Sequence, residues 1–339
     1  MATSLLQYTA EFGKSIIVRT RDQSILDQLD IQCDVGGVYD PEKRRFDHHQ
    51  KTFTTHWWEE KDKAAEAEKK EGENPEARVP TTKLSSAGLI YKFYGKEIIK
   101  NMCKEFYEKD LNDEQVELIY EKLYKVLILE IDAIDNGVNQ ADETKYSIST
   151  NLSSRVGVYN SPWNAPQGAQ YSQHAQFKKS MKITEQAFVH KLYGQVNIVL
   201  PAKEVVKEAW DSRESFHASK QFIWFEKSCP WKEHVYELEK STEQEGLIKF
   251  AFFKDGRGMF RVQAVSKNAS SFENRVSLCK AYRGLRGDEL NKVSALPDCE
   301  FVHAAGFIGG AWSKESAIKM AENSLAEFEQ EQKSKEDKS

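Results

Sequence analysis

The hydrophobic positions of the chain change period several times, and each change marks an element. Ser15-Ile16-Ile17-Val18-Arg19-Thr20 is a β-branched run of strand length, the form taken by strands buried on both faces. After a short connector over residues 25–29, Ile31-Gln32-Cys33-Asp34 predicts a second strand. Leu89, Ile90, Phe93 and Tyr94 follow at helical spacing behind Ser85 and Ser86, either of which can cap the helix start. Segment 113–134 places Val116, Ile119, Leu123, Val126 and Leu127 on one face and predicts a central buried helix. Phe177, Met181, Ala187, Phe188 and Leu192 predict another helix over 177–193, and Pro201 opens a further one over 203–210. Beyond that the texture turns to β structure, with strand-like runs at 221–226, 235–238 and 248–253. Lys254-Asp255-Gly256-Arg257-Gly258 is a hairpin signal leading into 259–265. Ser313 caps a last helix with Ile318, Ala321, Leu325 and Phe328 on one side, and the charged tail from Glu329 is expected to fray.

This succession predicts an α/β protein: a Rossmann-like parallel-sheet domain, then a smaller α/β (α+β) C-terminal domain. The expected bounds are residues 1–195 and 215–328, with 329–339 as a disordered tail. Residues 59–80 carry mixed charge and few apolar side chains, which predicts a solvated, mobile insertion. With 40% hydrophobic and 30% charged residues, and no apolar run of bilayer length, composition describes a globular chain that does not span a membrane. The net charge of −5 does not announce a nucleic-acid binder, so such a substrate would need a local basic groove. Five scattered cysteines without a CxxC pair predict free thiols in a reducing compartment. The first residues fit neither a signal peptide nor an arginine-rich transit peptide. Leu5-Leu6 and Phe12 read instead as the end of an amphipathic helix, which raises the expectation of a missing upstream segment.

Candidate chemistry concentrates behind the second predicted strand. Asp34-Val35-Gly36-Gly37-Val38-Tyr39-Asp40 and Asp47-His48-His49 pack three aspartates and two histidines into sixteen residues beside two glycines. Carboxylate oxygens and imidazole nitrogens form a mixed ligand set suited to manganese or a similar divalent ion. Asp34 would sit at a strand's carboxyl end, where open α/β sheets place ligands. The competing reading is a polar turn with a surface Asp-His cluster. Glu130, Asp132 and Asp135-Asn136-Gly137 end the central helix, where the macrodipole disfavours acidic groups unless a cation compensates. The helix start at Ser85 and Ser86 can offer amides and hydroxyls to an anion. His303 stands in a Gly-rich stretch in which Gly306, Gly309 and Gly310 could present amides to a phosphate, and Arg283 and Arg286 are phosphate-clamp candidates.

Taken together, Asp34 to Asp40, Phe46-Asp-His-His-Gln50, Thr82-Lys-Leu-Ser-Ser-Ala-Gly-Leu89 and Glu130-Ile-Asp-Ala-Ile-Asp-Asn-Gly137 resemble the melanocyte-proliferating-gene (Myg) family of the DHH phosphoesterases. The resemblance continues through Cys229-Pro-Trp-Lys-Glu-His234, Tyr282-Arg-Gly-Leu-Arg286 and Phe301 to Gly310, in order over nearly the whole chain. It implies a two-domain phosphodiesterase with a two-metal manganese site, magnesium being the alternative ion. It also implies 3′–5′ exonuclease action on single-stranded RNA or short oligonucleotides, in nucleus and mitochondrion, with cytoplasm as the other compartment.

Carried over by residue, Asp34 matches the second metal motif, Asp47, His48 and His49 the third, and Asp135 the fourth, with Asp132 in reserve. Asp34 would be a bridging carboxylate, Asp47 and Asp135 would complete the coordination, and His48 or His49 would bind metal or protonate the leaving oxygen. Ser85, Ser86, Arg283, Arg286, His303, Gly306, Gly309 and Gly310 would contact substrate. The family opens with a strand and a Gly-Thr-His…Phe-His-x-Asp-Glu motif that this chain does not contain. Reduced activity is therefore expected, and two competing readings are a non-catalytic binding protein and a dinucleotide or pyrophosphate phosphoesterase.

Overall fold

Helices packed on mixed sheets make up both of the units into which the chain divides, Met1–Val196 and Asn197–Ser339, which is an α/β architecture. The computed structural model describes residues 1–58, 82–165, 173–268 and 271–336, so the charged segment 59–80 lies outside the described residues. Among the described residues no helix is long and apolar enough to cross a membrane.

In the first unit the helix Ser86–Tyr107 (α3) is central. Ser85 caps it, its Oγ accepting from the amides of Ala87 and Gly88. Leu89, Ile90, Ile98, Ile99 and Met102 are fully buried, and the helix packs on the short helix Ala2–Leu6 (α1) and on Asp113–Leu123 (α4), with the short helix Gln23–Leu26 (α2) earlier in the unit. The predicted central helix is helical throughout but not uniformly α. After α4 a π-turn at Tyr124–Ile128 leads into Leu129–Asp135 (α5), so Val126 points outward while Tyr124 and Ile128 join the core. Trp57 stacks on Tyr124 at 3.9 Å and Tyr91 on Tyr120 at 5.0 Å, filling the space beside the turn. Leu152–Gly157 (α6) and Gln173–Gly194 (α7) complete the unit, α7 burying Thr184, Phe188 and Leu192.

The sheet of this unit is small. Gln32–Cys33 (β1) pairs parallel with Arg45–Phe46 (β3), and Tyr39–Asp40 (β2) pairs antiparallel with β3. The expected strand at Ser15–Thr20 does not form, and Ile16 is 89% exposed. A β-branched run becomes a strand only with a hydrogen-bonded neighbour, and among the described residues this one pairs with none.

The second unit is built on a five-stranded sheet in the order β4-β5-β6-β8-β7: Phe222–Phe225 (β4), Phe250–Lys254 (β5), Phe260–Ala264 (β6), Cys299–Val302 (β7) and Ile308–Ala311 (β8). β4 and β5 run parallel and the remaining pairs antiparallel. One face, with Phe222, Phe250, Phe252 and Val262, packs beneath the helix Lys314–Glu336 (α12). The other, with Ile223, Phe225, Ala251 and Phe253, packs on Leu200–Asp211 (α8) and Lys232–Ser241 (α10). Arg213–Phe216 (α9) and Gly287–Ser294 (α11) are short connectors. The strand expected at 235–238 is the middle of α10: His234, Val235, Leu238 and Glu239 share a helical face, and the β-branched window was too short to decide. Ser313 caps α12 by accepting from the Ser316 amide at 3.1 Å, and the helix continues to Glu336 instead of fraying from Glu329.

Candidate metal centre

The centre begins with backbone geometry. Directly after β1 the chain turns through Asp34 (φ 65°), Gly36 (φ 90°) and Gly37 (φ 66°), all left-handed. A carboxylate tolerates that region better than most side chains, and at Gly36 a Cβ would meet Gln32 Oε1 at 2.7 Å. The turn brings the Gly37 amide onto Asp47 Oδ2 at 2.8 Å, which locks it against the residues following β3.

Asp47 is buried and serves its neighbours. Its Oδ1 accepts from the His49 amide at 3.0 Å and meets His49 Nδ1 at 2.6 Å. Burial pushes the Asp47 carboxyl up, but the bonds from the His49 ring, Gly37 and the His49 amide outweigh it, and the net shift is downward. With Nδ1 so engaged, the exposed His49 ring has Nε2 left over.

His48 is almost enclosed, its side chain 5% exposed. Its Nε2 lies 3.0 Å from Asp135 Oδ2, at the end of α5, and 3.5 Å from Asp34 Oδ1. Neither ring nitrogen has an aligned hydrogen-bond partner. Asp135, then Asp34, hold the imidazolium up at about 9 against the opposing effect of burial. A bound cation would take the place of that proton between the same groups.

Asp34, His48 and His49 each offer one ligand atom, and these lie within 4.8 Å of one another. Among the described residues this is the single such group. The buried His48 nitrogens without aligned partners, beside two carboxylates, suit a cation, and the mixed oxygen and nitrogen set fits Mn2+ or a similar ion. The Asp34 and Asp135 side chains are 61% and 48% exposed, so positions remain open on the solvent side. There a cavity of about 880 Å³ is lined by Ile16, Arg19, Arg21, Cys33, Asp34 and Asp135. Burial pushes the Cys33 thiol up to about 12, which keeps it neutral.

The profile of the MYG1 exonucleases, described as an uncharacterised protein family (UPF0160), matches residues 1–325. The chain belongs to the MYG1 exonuclease family. It is 39% identical over 330 residues to the MYG1 exonuclease of Bos taurus, covering 96% of this chain and 81% of that protein. To the MYG1 exonuclease of Homo sapiens it is 38% identical over 330 residues, covering 96% and 82%. The MYG1 protein of Dictyostelium discoideum is 38% identical over 328 residues, with 96% and 92% covered. No solved structure matches the chain.

Against this MYG1 membership, the candidate residues fall into three groups. Asp34, His48, His49 and Asp135 come together, with Asp47 behind His49. Asp132, Ser85 and Ser86 are buried close by, and the serine hydroxyls are engaged within the chain, Ser85 on Asp132 and Ser86 on Phe46 O and Asp34. The third group belongs to the second unit. Arg283 Nε donates to Leu278 O at 2.9 Å, and Gly306 (φ 68°) lies against that side chain, where a Cβ would meet Nε at 2.6 Å. His303 and Arg286 are exposed, the latter over the Phe301 ring at 5.5 Å. Gly309 and Gly310 depart from expectation. They lie inside β8 between β6 and β7, so their amides serve the ladder and not a phosphate. Their missing side chains make room for Met320 and Met259.

Sequence reasoning missed the amide of Gly37 and the pair Arg19 and Arg21. The signal for the arginines was Arg-Thr-Arg directly after a β-branched run. It also missed why residue 88 is glycine: a Cβ there would come 2.3 Å from Asp132 Oδ1. Gly88→Ala is accordingly expected to cost about 1–3 kcal/mol of stability, measured as a lower urea midpoint.

Proposed function

We propose that this chain hydrolyses phosphodiester bonds with a divalent cation, Mn2+ before Mg2+, as a 3′–5′ exonuclease on single-stranded RNA or short oligonucleotides. Membership of an exonuclease family supports a nuclease-type function, and the observation that carries the chemistry is the convergence of Asp34, His48 and His49 with Asp135 beside them. Asp34, His48 and Asp135 would hold the cation. When bound, it supplies Lewis-acid activation of a phosphoryl oxygen and of water. Asp47 holds His49 at Nδ1, which leaves Nε2 to hand a proton to the departing oxygen. Arg19 and Arg21, lining the cavity beside the centre, supply the local positive charge that the overall balance of −5 does not. Nucleus and mitochondrion are proposed as compartments on the family resemblance alone.

The experiment is incubation of the purified chain with Mn2+ and a labelled single-stranded RNA, beside dinucleotide and pyrophosphate substrates. Stepwise shortening from the 3′ end, lost on chelation, is expected. Turnover of dinucleotides alone would replace the exonuclease by a small-molecule phosphoesterase, and no turnover with retained RNA binding would make the chain a binding protein.

A further inference from the structure

Asp132 is the most enclosed carboxylate near the centre, 0% exposed and three residues before Asp135 on α5. Its Oδ1 accepts from the Ser85 amide at 2.9 Å and the Ser85 hydroxyl at 2.7 Å, and its Oδ2 from the Tyr124 hydroxyl at 3.1 Å. Three donors from the start of α3 and the π-turn converge on it, and they oppose the burial that pushes its carboxyl up to about 7. Enclosed in this way it has no face to offer an ion, so it is not the reserve ligand that its place in the sequence suggested.

Both helices that Asp132 joins carry groups of the centre. The residue after Ser85 is Ser86, whose Oγ donates to Phe46 O at 2.8 Å and to Asp34 Oδ1 at 3.2 Å. One turn beyond Asp132 on α5 is Asp135, 3.0 Å from His48 Nε2. Asn136 reinforces the junction, its Nδ2 donating to Lys83 O at 2.9 Å and to Asp132 O at 2.8 Å. The missing side chain of Gly88 lets the carboxylate approach α3 this closely.

We propose that Asp132 is a positioning residue for the cation centre: its buried carboxylate clamps the start of α3 to α5, so that Ser86 steadies Asp34 while Asp135 is held at His48. The clamp touches neither substrate nor ion and acts through Ser85. Removing such a support is expected to weaken metal affinity by about 10–100-fold. The proposal rests on the reading of this centre as a cation site, and the experiment separates the two.

Free Mn2+ is followed by electron paramagnetic resonance during titration of the full chain, for the wild type, Asp132→Ala, Asp132→Asn and Ser85→Ala, each checked for folding by circular dichroism. Asp132→Ala is expected to lose affinity by about 10–100-fold. Asp132→Asn keeps an acceptor for Ser85 and a donor for the Tyr124 oxygen, and is expected to restore near wild-type affinity. Ser85→Ala leaves the carboxylate in place and is expected to shift affinity in the same direction as Asp132→Ala, which carries the test if that variant does not fold. Wild-type affinity in both Asp132→Ala and Ser85→Ala, with only a lower Tm, overturns the positioning role. An equal loss in Asp132→Asn and Asp132→Ala overturns it too, because charge and not the clamp would then be acting. Absence of Mn2+ binding by the wild type overturns the cation reading itself and the proposal with it.

Discussion

Asp34→Asn is expected to lower the rate of the proposed phosphodiester hydrolysis about a thousandfold, equivalent to about 4 kcal/mol of transition-state stabilisation. The fold should survive the change. The side chain is 61% exposed and sits outside the core, with Ser86 Oγ at 3.2 Å and His48 Nε2 at 3.5 Å as its near partners. The residue holds a left-handed φ of 65°, a conformation that asparagine adopts as readily as aspartate. The substitution therefore removes a ligand charge and little else, whereas Asp34→Ala would add backbone strain to the result. His49→Ala, which removes the proton donor but not the ion, is expected to cost less, about a hundredfold. Comparing kcat at saturating Mn2+ for the two variants checks the order of the effects. An Asp34→Asn enzyme with wild-type kcat would remove Asp34 from the centre.

The second large effect is expected in the other unit, on stability. Arg275 Nη1 and Nη2 donate to Glu239 Oε1 and Oε2 at 2.5 and 2.7 Å, a two-pronged pair with both side chains nearly enclosed. The pair is tied into the chain around it. Glu239 also accepts from the Ile248 amide at 2.8 Å, and Arg275 donates to Ile248 O at 2.9 Å while lying over the Tyr236 ring. Together they join α10 to the segment entering β5. Arg275→Met leaves the Glu239 carboxylate buried without its partner and is expected to cost about 3–5 kcal/mol. For a unit of this size that is a fall in Tm of about 10 °C. The double variant Arg275→Met with Glu239→Leu should recover most of the loss, because an apolar pair of similar volume carries no desolvation penalty. A single variant as stable as the wild type would show the pair to be incidental.

How much of this was legible before the fold was known differs from residue to residue. Asp34, Asp47, His48 and His49 could be found because their chemistry is local: the whole group spans sixteen residues, and its glycines announce the turn. Asp135 was legible through the electrostatics of acidic groups at a helix end. Asp132, three residues earlier, shows the same signal and has a different fate. One helical turn separates a carboxylate facing the centre from one facing the start of α3, and a π-turn upstream shifts the register that spacing assumes. The run Ser15–Thr20 has every local property of a strand, but strand formation depends on a neighbour that no local window can supply. Gly309 and Gly310 were misplaced for a related reason. Glycine marks a close approach without saying whether the approaching atom belongs to a phosphate or to a methionine of the core.

The central claim is that Asp34, His48 and Asp135 hold a divalent cation beside His49, and calorimetric titration of the metal-free chain with Mn2+ tests it most directly. The account predicts saturable binding to a single site per chain, abolished by Asp34→Asn and by His48→Ala in variants that remain folded. Absence of binding, or binding that persists unchanged when both residues are replaced, would contradict it.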